Sequence, residues 1–204
     1  MNTEKLEVEA TKTLLRRIFY GTVPEQIDAL YLFGQTTDNQ ESEFRVARDL
    51  VHRVGAMVVP DGPAECGYPG GEVFAAEVQN FFPGEVVRMP LVGDRITNTR
   101  SEARGLIALS LERGWRNVGL LSTRFHQLRA VMTVISAAVR EDREGKVRFW
   151  SIPGVALPWY EKVIHSQGIL RATRFELIGH ELERILKYDD ILPPEHILAW
   201  MDNR

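Results

Sequence analysis

The stretch that decides the fold is Val118–Ala130, which reads VGLLSTRFHQLRA. Its first part, Val118–Ser122, is almost continuously apolar, as is typical of a strand that is buried on both faces of a parallel sheet. The residues that follow place apolar side chains three and four positions apart, which predicts a helix over Phe125–Arg140. A buried strand that leads directly into an amphipathic helix is the repeating unit of an α/β fold.

Short apolar runs on either side of this unit predict four further strands: Asp28–Phe33, Ala56–Val59, Val86–Val92 and Val147–Ile152. Helical periodicity falls between them, in Glu41–Val54, Glu72–Phe82 and Thr99–Arg113. Strands that alternate in this way with amphipathic helices predict a doubly wound, mainly parallel sheet of about five strands with helices on both faces.

The C-terminal part of the chain, about 156–204, reads as a helical extension of this sheet. An apolar stripe at helical spacing is formed by Phe175, Ile178, Leu182 and Ile185. Pro193 and Pro194 end this helix, and a short helical tail follows at Glu195–Met201. Because no linker, low-complexity segment or repeat is visible, residues 1–204 are predicted to form a single α/β domain.

Composition excludes several classes of partner. The 204 residues are 44% hydrophobic and 26% charged, which are ordinary values for a globular domain. The formal net charge of −3 provides no basic face for nucleic acid. No apolar run is long enough to span a membrane, and the N-terminus lacks the apolar core of a signal peptide. With Cys66 as the single cysteine, we expect a cytoplasmic protein without disulfides.

Ligands of parallel sheets bind at the carboxyl ends of the strands, and four segments of the sequence lie there. After the first strand, Gly34 and Gln35 form a bend at which a backbone can approach an anion, or which is only a tight turn. After the second comes a breaker-rich loop, Pro60–Gly71, that ends in Gly70 and Gly71. These two glycines either expose successive N–H groups to an anion or relieve a sharp bend.

The segment after the third predicted strand begins the next helix. Asn98 or Thr99 is expected to cap that helix, and Thr99 has the capping-box spacing to Glu102. Helix capping alone therefore explains a glutamate at position 102, and no functional role is needed to explain it. Capping does not account for Asp94, which makes that carboxylate a candidate catalytic base.

After the fourth strand, Ser122, His126 and Arg129 gather polar groups at the start of a helix. His126 and Arg129 lie three residues apart, so they share one helical face, which differs from the apolar face. A helix N-terminus adds positive partial charge. Hydroxyl, imidazole and guanidinium groups together suit a phosphate or a carboxylate. The alternative is a solvated helix start.

Other catalytic patterns have little support in the sequence. The remaining histidines form no metal-ligand pair such as H-E-x-x-H, and a single cysteine does not make a zinc site, so no metal ligands are predicted. No G-x-S-x-G elbow precedes a helix, and no G-x-G-x-x-G fingerprint is present. The sequence identifies no cofactor and leaves the oligomeric state open.

The order of these segments resembles that of the DUF218 (YdcF-like) family. The resemblance rests on the following pieces, in this order: Leu32-Phe33-Gly34, Arg45 with Arg48, Gly70-Gly71-Glu72, Asn98–Ala103 and Ser122–Ala130. It covers roughly Ile27–Val139, and the last piece, which fits S/T-x-x-H-x-x-R-A, is the most specific. The chain departs from the family pattern at Ser101-Glu102, where the family usually has Glu-Asn.

The resemblance implies a Rossmann-like α/β fold, with a core at about 27–139, whose polar motif residues meet at one end of the sheet. We expect a pocket there for a phosphorylated or nucleotide-derived small molecule. The residues predicted to build it are Gly34, Gln35, Arg45, Gly70, Gly71, Asn98, Thr99, Ser122, His126 and Arg129. Arg129 and Arg45 would pair with the anion, and His126 would serve as acid or base, with Asp94 as a second catalytic candidate.

Two kinds of function fit this expectation. One is an enzyme that transfers or hydrolyses a phosphoryl or glycosyl-phosphate bond. The other is a non-catalytic ligand sensor or protein-interaction module on the same fold, since such scaffolds host many activities. An S-adenosylmethionine or dinucleotide binder is a third possibility, which the missing glycine fingerprint weakens.

Overall fold

The computed structural model describes residues 3–90, 98–142, 144–165 and 170–203. Five strands form one parallel sheet: β1 (Ile27–Leu32), β2 (Val54–Pro60), β3 (Glu85–Met89), β4 (Asn117–Ser122) and β5 (Arg148–Pro153). Their order in the sheet is β3-β2-β1-β4-β5. The chain therefore starts at the centre, winds outward to one edge, returns to the centre and winds to the other edge. This is the doubly wound, Rossmann-like fold that the sequence predicted.

Helices cover both faces of the sheet. The helices of the described ranges are α1 (Thr3–Tyr20), α2 (Glu41–Asp49), α3 (Gly71–Gln79), α4 (Thr99–Arg113), α5 (Arg124–Glu141), α6 (Arg174–Lys187) and α7 (Pro194–Asp202). The core on one face contains residues of α1, α4, α5 and α7, and the core on the other face contains residues of α2 and α3. In the part of the chain described here, no helix has the length and apolar character that crossing a bilayer requires.

The central strand β1 shows why both faces must be covered. Its side chains alternate between the two cores: Ala29 and Tyr31 face α1, α4 and α5, whereas Leu30 and Leu32 face α2 and α3. All four are completely buried. Burying a leucine side chain stabilises a fold by about 1.5–3 kcal/mol, so a strand with apolar residues on both sides needs helices on both sides.

The segments that follow β1 and β4 run to opposite faces of the sheet, and the crevice of the fold lies between them. The chain leaves β1 towards α2 on one face, and it leaves β4 towards α5 on the other. The two strands remain paired to their ends, where the Phe33 N–H donates to the Leu121 carbonyl over 3.0 Å. Ligands of doubly wound folds bind at this kind of switch point.

The C-terminal extension is not wholly helical, which corrects the prediction for 156–204. It contains an antiparallel hairpin of β6 (Lys162–His165) and β7 (Leu170–Thr173) before α6 begins. Each strand has only four residues, so neither is long enough to show a clear period of two. The helix predicted over Glu41–Val54 is also too long, because α2 ends at Asp49 and Val54 already belongs to β2.

Candidate functional site

A cavity of about 230 Å³ lies at the carboxyl ends of β1 and β4, where the sheet topology places the crevice. Its wall combines five parts of the chain: the bend after β1 (Gly34, Gln35, Thr36), the loop before α3 (Glu65, Cys66, Tyr68), the start of α4 (Asn98, Thr99, Glu102), α5 (His126, Arg129) and the C-terminal extension (His165, Arg184, Tyr188). The strongly polar wall is the feature that calls for a chemical explanation.

A buried carboxylate, Glu181 of α6, organises one side of this cavity. Only 2% of its side chain is exposed. One oxygen, Oε2, accepts from His126 Nδ1 at 2.5 Å and from Arg129 Nε at 2.7 Å. The other, Oε1, accepts from His165 Nε2 at 2.8 Å and from Arg129 Nη2 at 3.2 Å. Burial alone would raise the pKa of Glu181, but His126 and Arg129 outweigh it and hold the pKa well below its usual range.

His126 is a neutral imidazole in this environment. Burial is the main reason that its pKa falls to about 4, the charge of Arg129 adds to the effect, and Glu181 opposes it. Arg129 Nη2 lies 3.0 Å from Nδ1, a contact that by itself would suit an unprotonated Nδ1. The ionised carboxylate is closer, at 2.5 Å, and two acceptors cannot approach so closely without a proton between them. We therefore assign the proton to Nδ1, which leaves a lone pair on Nε2 beside Thr99 of the cavity wall.

Arg129 is used to hold the site together. Its Nε and Nη2 bind Glu181, and its Nη1 donates to Thr99 Oγ1 over 2.7 Å. The guanidinium is thus neutralised by a carboxylate before any ligand arrives. Arg184 of α6 also lines the cavity, and its side chain is 31% exposed. Its Nη1 makes a long contact of 3.4 Å with Glu181 Oε1. Arg184 is therefore better placed than Arg129 to meet an anion.

Glu102 also lines the cavity, and its assignment to a capping box is wrong. Asn98 is the N-cap of α4, and its reciprocal partner is Ser101. Glu102 is buried instead, and its Oε1 accepts from the Tyr31 hydroxyl at 2.9 Å and from the Gly34 N–H at 2.8 Å. Burial raises the pKa of Glu102 to about 6, although both hydrogen bonds and Arg129 oppose the shift.

This raised pKa predicts a pH-dependent effect of the Glu102→Gln substitution on stability. The folded chain binds the Glu102 proton more tightly than the unfolded chain, so its contribution is complete below pH 4.5 and is lost as the pH rises through about 6. A shift of this size corresponds to about 2 kcal/mol. Relative to the wild type, Glu102→Gln should therefore gain about 2 kcal/mol of unfolding free energy between pH 4 and pH 7, measured by urea denaturation. The exposed Glu72, changed to glutamine, serves as control, and a stability difference that stays constant with pH contradicts the assignment.

Further polar groups lie beneath the cavity. Ser122 is completely buried, does not line the cavity, and its Oγ accepts from Gln35 Nε2 at 3.3 Å. Glu43 of α2 is also completely buried, and burial together with the nearby Glu102 raises its pKa well above the usual range. The Gln35 amide and the Thr123 backbone oppose this shift, yet neither carboxyl oxygen of Glu43 has a hydrogen bond of normal geometry. We therefore take Glu43 as a protonated, neutral acid.

Three further predicted site residues, Gly70, Gly71 and Arg45, do not line the cavity. Gly70 has φ +92° and ψ 151°, a conformation that is almost restricted to glycine, and a Cβ on Gly71 would lie 2.6 Å from the Pro60 carbonyl oxygen. Both glycines thus have a conformational reason to be there, and neither lines the cavity. Arg45 pairs with Glu41 on the exposed surface of α2. Asp94 lies outside the described residues.

The structure brings together six of the predicted residues at the cavity: Gly34, Gln35, Asn98, Thr99, His126 and Arg129. The sequence analysis missed Glu181 and Arg184 because it took another face of α6 as buried, and it missed His165 because it did not predict β6. Arg174, Leu177 and Glu181 are the buried residues of α6, and the predicted stripe residues Phe175 and Leu182 are 58% and 44% exposed. Glu181 lies four residues after Leu177, so the two side chains share one face of the helix. A glutamate on the same face as a buried leucine is the sequence signal that could have indicated the site.

Comparison with known proteins adds no relative from which to transfer a function. No family model matches the chain, and no curated protein matches it. Among the residues that the structure describes, no three histidine, cysteine, aspartate or glutamate side chains group as metal ligands. The function must therefore be argued from the geometry of the cavity itself.

Proposed function

We propose that this cavity binds a small phosphorylated or nucleotide-derived molecule and that His126 acts on it as a general base. The reaction would be the transfer or hydrolysis of a phosphoryl or glycosyl-phosphate bond. The observation that carries the proposal is the neutral imidazole of His126, which lines the cavity, is held through Nδ1 by a buried carboxylate and has Nε2 at 3.5 Å from Thr99 Oγ1 of the cavity wall. A carboxylate that fixes the tautomer and orientation of an imidazole is the arrangement by which histidine accepts a proton from a hydroxyl or a water.

One part of the cavity wall supports an anionic ligand, while the carboxyl groups of Glu65 and Glu102 line other parts of it. Arg129 and Arg184 carry two positive charges against the single carboxylate of Glu181, so this wall keeps one net positive charge. The start of α4 lines the cavity at Asn98 and Thr99 and adds the positive end of a helix dipole. Glu102, which also lines the cavity, has a pKa of about 6, so an approaching anion can keep it protonated as a hydrogen-bond donor.

The size of the cavity favours a compact ligand. Pockets for drug-sized molecules typically enclose about 300–1,000 Å³, whereas the described walls enclose about 230 Å³. This volume suits a phosphate, a sugar phosphate or the phosphorylated end of a nucleotide better than a whole dinucleotide or S-adenosylmethionine. The proposed ligand therefore belongs to the class that the sequence predicted and is one of the smaller molecules of that class.

Membership of the DUF218 family stays a proposal as well. It is supported by the glycine after β1 and by the H-x-x-R motif of α5, since Gly34, His126 and Arg129 all line the same cavity. The fold does not add to this support, because doubly wound sheets host many unrelated functions. A cytoplasmic location is likewise proposed, on the single cysteine, Cys66, whose thiol is free.

A ligand screen with matched variants tests the proposal. We expect a sugar phosphate or a nucleotide to raise the melting temperature, with about 2.7 kcal/mol of stabilisation at 100 times its dissociation constant. The Arg184→Ala variant should bind the same ligand about tenfold more weakly, because it loses a charge-assisted contact. The Arg45→Ala variant removes an arginine that does not line the cavity, and it should bind like the wild type.

The outcomes separate the possibilities. If no compound of the screen binds, or if Arg45→Ala and Arg184→Ala lose equal affinity, the proposed anion site is wrong. If a ligand binds but incubation with the wild-type chain yields no product, the catalytic part of the proposal fails and a ligand sensor is the better description. Conversion of the ligand supports an enzyme.

A further inference from the structure

The outer face of α6 is an exposed apolar stripe, formed by Phe175, Gly179, Leu182 and Leu186. The three large side chains are 58%, 44% and 87% exposed. A Cβ on Gly179 would meet nothing within 4 Å, so the surface there is open. Spacings of four, three and four residues place these positions on one side of the helix. Tyr160 extends the stripe, because its ring lies 6.1 Å from that of Phe175 and is 82% exposed.

This stripe differs from the scattered apolar residues that every protein exposes. Single exposed leucines need no explanation, but a continuous apolar face usually marks an interaction site. The inward face of α6 is occupied already, since Leu177 is buried and Glu181 binds α5. The outer face is thus the side of α6 that is exposed among the described residues and available to a partner.

We propose that the outer face of α6 binds the same face of a second copy of this chain, with the two helices antiparallel across a two-fold axis. In a single antiparallel register, Phe175 of one copy meets Leu186 of the other. The same register places Leu182 against the open surface of Gly179 in the second copy. Each large side chain thus meets either an apolar partner or a space, and a two-fold axis requires this kind of self-complementary face.

The charged residues beside the stripe fit the same arrangement. Glu176, His180, Glu183 and Lys187 flank the stripe on one side of α6. In an antiparallel pair at nearly the same register, Glu176 lies opposite Lys187 of the second copy, and His180 lies opposite Glu183. A parallel pair would instead place this charged side of α6 against the other side of the helix in the second copy, where the partly buried Ile178 and Ile185 lie. Charge complementarity therefore selects the antiparallel pair, and the two glutamates disfavour an anionic lipid surface as the occupant.

The proposed dimer is independent of the proposed ligand, but both involve α6. Its inward side supplies Glu181 and Arg184 to the cavity, while its outer side would form the interface. Dimer formation would hold α6 in place behind the cavity. Loss of the dimer can be measured without any ligand, so failure of one proposal does not affect the other.

Sedimentation velocity on purified chains tests the interface. The wild type should sediment as a dimer at a concentration at which Leu182→Glu sediments as a single chain, because that change places a charge in the interface twice. Leu111→Glu, on the 37% exposed Leu111 of α4, is the matched control and should remain dimeric. Circular dichroism of all variants checks that each is folded, since Leu182 is an exposed position whose substitution should leave the fold intact.

Charge exchange tests the register. Lys187→Glu should weaken the dimer by about tenfold, because two attractive pairs become repulsive. Glu176→Lys combined with Lys187→Glu should restore the wild-type dissociation constant. A wild type that stays a single chain at every accessible concentration, or a dimer that Leu182→Glu leaves intact, overturns the proposal. A double variant that remains as weak as Lys187→Glu overturns the antiparallel register.

Discussion

Replacing Glu181 with alanine is expected to lower the free energy of unfolding by about 3–5 kcal/mol. The carboxylate is the partner of a guanidinium that is itself only 6% exposed, and it also accepts from the ring N–H groups of His126 and His165. Its removal leaves the Arg129 charge buried without a counterion and two ring N–H donors without an acceptor. Each of these groups keeps its desolvation cost and loses the interaction that offset it.

Chemical denaturation measures this effect, and the same helix offers the control. Glu183 lies two residues further along α6 with 76% of its side chain exposed, so Glu183→Ala should change stability by less than about 0.5 kcal/mol. Combining Glu181→Leu with Arg129→Met removes both charges and should recover much of the loss, because a buried ion pair can often be replaced by apolar groups of similar size. If Glu181→Ala is as stable as Glu183→Ala, the buried ion pair is not a major stabilising element.

The fold could be predicted because its information is local. The strand before Ser122 and the helix over Phe125–Arg140 are visible as a change from continuous apolar character to a helical period. Only one further rule, that ligands lie at the carboxyl ends of parallel strands, was needed to place His126 and Arg129 at a site. Both residues belong to α5, which directly follows β4 in the sequence, so no long-range contact had to be guessed.

The other half of the site could not be predicted, because it depends on how α6 docks. Glu181 is 55 residues from His126 in the sequence, and the hairpin and α6 bring His165, Glu181 and Arg184 to the cavity together. Apolar periodicity alone assigns the buried face of α6 to Phe175 and Leu182. The actual packing buries Glu181 instead, since Arg129 compensates its charge and two histidines form hydrogen bonds with its carboxylate.

Glu102 shows a second limit of local rules. The spacing from Thr99 to Glu102 satisfies a capping box, and local reasoning has no means to reject it. The structure uses Asn98 and Ser101 for capping, which frees Glu102 to turn towards β1 and bind Tyr31 and Gly34. A residue that a local motif explains completely can therefore still belong to a site.

The His126→Ala variant is expected to lose about 10²–10⁴-fold in turnover of the ligand that the screen identifies, because a general base contributes about that factor. Binding should change less, since the contact with Arg184 is retained. Release of p-nitrophenol from p-nitrophenyl phosphate and of free sugar from a nucleotide sugar provides the rate, and the thermal-shift titration provides the affinity. In the wild type, protonation of His126 should not affect the rate well above pH 4, and the rate should fall as the pH drops through about 4, where the imidazole becomes charged.

The Glu181→Gln variant separates catalysis by His126 from a merely structural role. A glutamine at this position can offer its N–H₂ group to Nδ1, which moves the imidazole proton to Nε2 and removes the lone pair on the cavity side. Turnover should then fall almost as far as in His126→Ala, whereas the ligand affinity should be largely retained. Glu181 affects the turnover rate in this way only if Nε2 of His126 accepts a proton during the reaction. Equal turnover in Glu181→Gln and in the wild type would therefore exclude His126 as the base.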